Sequence, residues 1–162
     1  MILKKLINYV VRLLAVESNY NMNNHLDELK KKIDSRLING SDLAYLGDAY
    51  YELWIRTYFL SKGITKPNEL NKRVRTYVSS TAHALVVDKI IDTFSEEERD
   101  VYTRGRNYHY RHKAKNASVS DYVKSSGLEA VIGYLYLNDL DERLKEIMDQ
   151  AIEIIKGNTN NE

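Results

Sequence analysis

The stretch Leu43-Ala44-Tyr45-Leu46-Gly47-Asp48-Ala49-Tyr50-Tyr51-Glu52-Leu53-Trp54 decides the fold class of this chain. Its apolar side chains recur at helical spacing without sustained period-2 alternation, and Asp48 stands in their midst. A second run of the same kind lies far downstream, Ser125-Ser126-Gly127-Leu128-Glu129-Ala130-Val131-Ile132-Gly133-Tyr134-Leu135-Tyr136, with Glu129 as its single acid. A lone carboxylate is costly to bury unless it is paired or binds a cation, so two of them imply a shared site. Gly47 adjoins Asp48, and Gly133 follows Glu129 by one turn. Glycine costs a helix about 1 kcal/mol relative to alanine. It is tolerated where another helix must come close, which would bring the two carboxylates together.

Working outward, helical spacing recurs nearly everywhere, giving an all-α class. Residues 2–16 read as a short amphipathic helix, 18–24 as a polar break, and 25–36 as a charged helix. Asn39-Gly40-Ser41-Asp42 is a stop and a fresh cap, from which the Asp48 helix runs to about Ser61 and closes at Gly63. Pro67 opens the next helix, another covers 81–94, and Ser95 with Glu98 forms a capping box. The helix opened by that box fades near Gly105, and residues 105–119 read as a basic loop. The Glu129 helix spans about 121–138 and a last amphipathic helix 141–156. The expected organisation is an N-terminal helical extension over 1–36, one helical domain over 37–157 and a frayed tail over 158–162.

The 162 residues suit one domain with a real core, and 43% hydrophobic with 29% charged residues is an ordinary globular balance. The chain has no cysteine, which excludes disulfides, thiolate nucleophiles and zinc–thiolate sites. Arg12 interrupts the first apolar stretch and no small-residue cleavage site follows. No apolar run approaches the roughly 20 residues a bilayer crossing needs. The expectation is a soluble, cytoplasmic protein with no membrane partner.

The chemistry rests on two constellations. Two carboxylates in a water-poor pocket repel each other, and Mg²⁺, which prefers oxygen ligands and keeps several waters, resolves that repulsion. The competing explanation satisfies each acid with a cation such as Arg56 or Arg75, or with a helix N-terminus. Glu52, one turn after Asp48, serves as a third ligand, as an outer group holding a water, or as the partner of Arg56 at i+4; the last is the cheapest. The second constellation is cationic: Arg104, Arg106, Arg111, Lys113 and Lys115 lie among Asn107, Tyr108, His109, Tyr110 and His112. Such loops contact phosphates, with aromatic rings for stacking. Lys72, Arg73 and Arg75 form a further basic cluster. The formal charge is only +1 because the chain turns acidic between Asp139 and Glu153. A carboxylate pair with a basic loop suits metal-assisted phosphodiester hydrolysis. His83 falls within a helical pattern, and the four histidines form no metal motif.

These residues carry a family resemblance. Residues 43–49 resemble the signature helix of the ribonuclease III catalytic domain, and 126–133 resemble its second catalytic segment. Tyr51-Glu52, Thr65-Lys66-Pro67-Asn68-Glu69-Leu70, Tyr77-Val78-Ser79-Ser80 and Arg104-Gly105-Arg106-Asn107 resemble the family's Mini branch. The likeness runs from about Leu37 to the final helix. It implies a ribonuclease III-like all-α endonuclease domain without the separate double-stranded-RNA-binding domain, for which this chain is also too short. It further implies a Mg²⁺-dependent endoribonuclease, with Mn²⁺ as substitute, that cuts double-stranded RNA to 5′-phosphate and 3′-hydroxyl ends. The implied partner is the 23S ribosomal RNA precursor. Asp48 and Glu129 then sit where the family's catalytic, metal-binding acids sit. Larger relatives carry carboxylates where this chain has Ala44 and Ser126, a thinning that the Mini branch shares. The alternative is an RNA-binding or ribosome-assembly module of the same fold without catalysis.

A homodimer is expected, because Leu46, Tyr50, Leu53 and Trp54 make the signature helix apolar on more than one side. The first 21 residues are expected to be dispensable, with Met22 as an alternative start.

Overall fold

The computed structural model describes residues 25–108 and 118–159, all helical or in turns, with no strand among them. The chain divides into two compact units, residues 1–34 and 35–162. In the first, α1 (residues 25–30) is shorter than the helix expected over 25–36. The amides of Lys32 and Ile33 reach carbonyls only three residues back, at Leu29 and Lys30, so the last turn tightens and the helix ends. The segment 1–24 and residues 109–117 and 160–162 lie outside the described residues. The expectations for an amphipathic helix over 2–16 and for the dispensable N-terminus therefore fall outside them too.

The second unit contains α2 (Gly40–Ser61), α3 (Pro67–Val78), α4 (Ser80–Ile90), a 3-10 turn (Ile91–Thr93), α5 (Glu96–Tyr108), α6 (Val119–Leu137) and α7 (Asp141–Thr159). Local chemistry sets the boundaries. Gly63, at φ 80°, terminates α2: Ile64 N–H donates to Phe59 O at 3.3 Å and Gly63 N–H to Leu60 O at 2.9 Å. Pro67 sits in the first turn of α3, where its missing N–H costs nothing. Ser79 caps α4 by accepting from Ala82 N–H at 3.2 Å, and this cap divides α3 from α4. Ser118 caps α6 through Asp121 N–H at 3.0 Å. The Ser95–Glu98 box forms in both directions, at 3.2 and 2.9 Å.

Three boundaries differ from the sequence reading. The helix expected over 81–94 ends at Ile90 and passes into the 3-10 turn, with Thr93 Oγ1 bonded to Ile90 O at 2.7 Å. α5 does not fade at Gly105 but runs to Tyr108, and α7 extends beyond 156 to Thr159.

α6 is the axis of the domain. Val123, Leu128, Ala130, Val131, Ile132, Leu135 and Leu137 bury it on nearly every side. An all-round apolar helix needs all-round cover, and α2, α4, α5 and α7 supply it. Leu43, Tyr51, Ile55, Val86, Ile147 and Met148 complete the core from those helices. Full burial of each aliphatic side chain contributes about 1.5–3 kcal/mol. Among the described residues no helix is long and apolar enough to cross a membrane.

Candidate active site

The site grows out of the crossing of α2 and α6. A methyl group on Gly47 would collide with the carbonyl oxygen of Glu129 and the amide of Gly133, and one on Gly133 would collide with the carbonyl oxygen of Leu43. The two backbones meet with nothing between them, and only glycine allows that approach. Asp48 follows Gly47 on one helix and Glu129 lies on the other, so the seam places the two acids side by side. Their charges interact: desolvation pushes the Asp48 carboxyl above its usual range, Glu129 pushes it further, His83 opposes this, and Glu52 adds a smaller push.

The two carboxylates are not equivalent. Asp48 opens to solvent at the rim, so the expectation of burial fails for it; Glu129 is only 17% exposed. The side chain of Glu129 is held from beneath. Ser125 Oγ–H donates to its Oε1 at 2.8 Å, and His83 Nδ1 lies 3.1 Å from the same oxygen and 2.8 Å from Ser125 Oγ. An Nδ1 lone pair facing a carboxylate oxygen would repel it, so the geometry requires a hydrogen on Nδ1. His83 is wholly buried, its ring edge-on to Tyr51 at 4.4 Å between centroids, and its Nε2 has no protein hydrogen bond.

Among the described residues no arginine is bonded to either acid in the way the competing explanation required. The Arg56 guanidinium is bonded to Glu52, with Nε 3.0 Å from Oε1, as the i+4 spacing suggested. Among the described residues no three His, Asp or Glu side chains cluster closely enough to hold a metal between them, and Glu52 is engaged by Arg56. The arrangement offers two carboxylates across a seam, one exposed and one oriented by a serine hydroxyl and a histidine N–H.

The basic residues divide. Arg104 is helical and its guanidinium donates to the carbonyls of Ser35, Ile38 and Arg36 at 3.0, 2.8 and 3.4 Å. That corrects its place at the head of an unstructured loop. Gly105 packs against Ala130 and the carbonyl of Ser126, which keeps α5 helical past it. Arg106 and Asn107 are exposed on the final turn of α5. Arg111, Lys113 and Lys115 lie outside the described residues. On α3, Lys72 and Arg75 are exposed, while Arg73 is bonded to Glu69 at 2.9 Å.

Sequence reasoning missed His83 and Ser125. Ser125 was findable, one helical turn before Glu129; His83 was not, because its contact spans 46 positions.

Comparison with known proteins gives this architecture its relatives. Residues 41–140 match the model of the ribonuclease III domain. The chain is 44% identical to a Mini-ribonuclease 3 of Brevibacillus brevis over 124 residues, 76% of this chain and 92% of that protein. It is also 44% identical to a Mini-ribonuclease 3 of Clostridium tetani over 138 residues, 85% of this chain and 91% of the relative. A crystal structure of a Fusobacterium nucleatum protein superposes with a TM-score of 0.68 at 35% identity, covering 73% of this chain and 94% of that one.

Proposed function

Because the chain belongs to the ribonuclease III domain family, in its Mini-ribonuclease III branch, we propose that it is a metal-dependent endoribonuclease acting on double-stranded RNA in 23S ribosomal RNA maturation. The observation that carries the proposal is the convergence of Asp48 and Glu129 at the glycine seam, with Asp48 pushed above its usual range by desolvation and by its neighbour.

The donor set fits a hard divalent cation. Both groups are oxygen donors, their mutual repulsion is relieved by a dication, and two carboxylates suffice for an ion that keeps several waters. Asp48 and Glu129 would hold it, while Glu52 stays with Arg56. When bound, Mg²⁺, or Mn²⁺ in its place, supplies Lewis acidity and charge neutralisation at a phosphodiester. The protein's own part is to fix the two carboxylates. Asp48 stands at the solvent-facing rim, where an RNA backbone can reach it, and Glu129 lies deeper with one oxygen immobilised. Lys72, Arg73, Arg75, Arg106 and Asn107, with Arg111, Lys113 and Lys115, give the substrate its phosphate contacts. Arg104 serves the fold instead.

The reading extends to a cytoplasmic homodimer. Tyr45 and Leu53 expose 84% and 63% of their surface on α2, and Leu53 lines a groove with Tyr50, Trp54, Tyr58 and Ile152. A two-fold partner covering that face would set two sites against one duplex. The test is incubation of duplex RNA and of 23S precursor RNA with the protein in Mg²⁺ or in EDTA. Defined cuts bearing 5′-phosphates in Mg²⁺ alone are expected. Binding without cutting would replace this function with that of an inactive RNA-binding module.

A further inference from the structure

We propose that Ser125 and His83 are positioning residues for Glu129: they fix its Oε1 so that Oε2 is presented to the divalent cation. The inference rests on the metal-dependent reading of the Asp48–Glu129 site.

Three groups share one point. Ser125 Oγ, His83 Nδ1 and Glu129 Oε1 lie at mutual distances of 2.8, 2.8 and 3.1 Å, a closed triangle of hydrogen-bonding atoms. One proton arrangement satisfies it. The serine hydroxyl donates to the carboxylate, and the Nδ1 hydrogen is shared between the serine oxygen and the same carboxylate oxygen. Two donors thus converge on Oε1, and no other hydrogen bond to Glu129 forms among the described residues. A glutamate side chain with three free torsions pays rotamer entropy whenever it must adopt one geometry. The triangle removes that freedom before any cation arrives.

The supports are themselves rigid. His83 is wholly buried and its ring is braced by Tyr51, while Ser125 is 3% exposed and stands one turn below Glu129 on the same helix. Asp48 has no comparable holder and faces solvent. The site therefore pairs one preset ligand with one adjustable ligand. Groups that orient a ligand through a hydrogen bond commonly change metal affinity by about 10–100-fold when removed.

Mn²⁺ binding to the RNA-free protein, read by the electron paramagnetic resonance of the free ion, tests the inference apart from catalysis. Ser125→Ala and His83→Leu should each weaken Mn²⁺ binding by about tenfold or more. The double variant should lose less than the product of the two, because they hold one oxygen. His83→Asn places an amide N–H near the position of Nδ1 and should recover most of the affinity. In Mg²⁺-driven cleavage, kcat should fall while KM for RNA is unchanged. Melting curves would reveal a variant that fails to fold, and Ser125→Ala removes only one buried oxygen. Wild-type affinity in both single variants overturns this inference and leaves the metal reading standing. Absence of Mn²⁺ binding by the wild type overturns both.

Discussion

Two glutamates of this domain, both largely withdrawn from solvent, have opposite surroundings. Glu98, at the start of α5, is bound through both oxygens by the Arg143 guanidinium at 2.8 and 3.0 Å and also accepts from Ser95 N–H. Burial pushes its carboxyl up, but the Arg143 hydrogen bonds, the Ser95 amide and the Arg143 charge outweigh burial and hold it below the usual range. Glu129 is sheltered too, yet it receives a serine hydroxyl and a histidine N–H in place of a guanidinium, and a second carboxylate lies beside it. One acid is neutralised and closes a helix end. The other is oriented by a serine and a histidine, with no guanidinium on it among the described residues. Two carboxylates set side by side forgo stability that a bound dication would restore, and that contrast separates a working acid from a structural one.

The strongest way to break the comparison is to remove the solvent-facing carboxylate beside Glu129. Asp48→Asn should lower kcat at least about 1,000-fold, about 4 kcal/mol of barrier. It should not lower the melting temperature. A carboxyl held above its unfolded value weakens the fold as pH rises through the folded value, so its loss gives a small gain at neutral pH, reduced by solvent screening. Single-turnover cleavage beside calorimetry checks both halves, and a destabilised, active variant would invert the assignment.

Next in size is Gly47→Ala. Its methyl would meet backbone atoms of α6, which cannot rotate aside, so the crossing must open. The expected loss is about 3 kcal/mol in urea unfolding, together with weaker Mn²⁺ binding as the carboxylates separate. Unchanged stability would mean that the seam is loose in solution.

Arg143→Ala sharpens the other side. Removing one partner of this largely buried pair should cost about 2 kcal/mol at neutral pH, with cleavage by the folded protein unaltered. Because Glu98 lies below its unfolded value, its contribution is full above about pH 4.3 and is lost as pH falls through the folded value. The stability gap between wild type and variant should therefore close in acid. A gap that does not vary with pH would remove the ion pair from the explanation. The smallest effect belongs to α3: Lys72→Ala with Arg75→Ala should flatten the salt dependence of RNA binding by about 0.9 per lost phosphate contact. An unaltered slope would move the RNA elsewhere.

Much of this was legible in the sequence because it is local. Helical periodicity, Pro67, Gly63 and the Ser95–Glu98 box mark elements whose causes lie within a few residues of their effects. The glycines beside Asp48 and after Glu129 announced a close crossing for the same reason. Long-range packing was not legible. Gly105 looked like a helix end, yet its contact with Ala130 and the grip of Arg104 on the carbonyls of residues 35, 36 and 38 carry α5 through it. His83 was given no role because nothing in the α4 sequence shows that it faces Glu129. The openness of Asp48 was hidden as well, since apolar neighbours along a helix do not say which face is covered.

Glu129→Gln and Glu98→Gln, made and measured side by side, test the central claim most directly through one pair of numbers each: the melting temperature and the single-turnover rate on duplex RNA in Mg²⁺. A crossover is expected, in which Glu129→Gln keeps its fold and loses cleavage while Glu98→Gln melts earlier and cuts at the wild-type rate. Normal cleavage by a folded Glu129→Gln protein would contradict it.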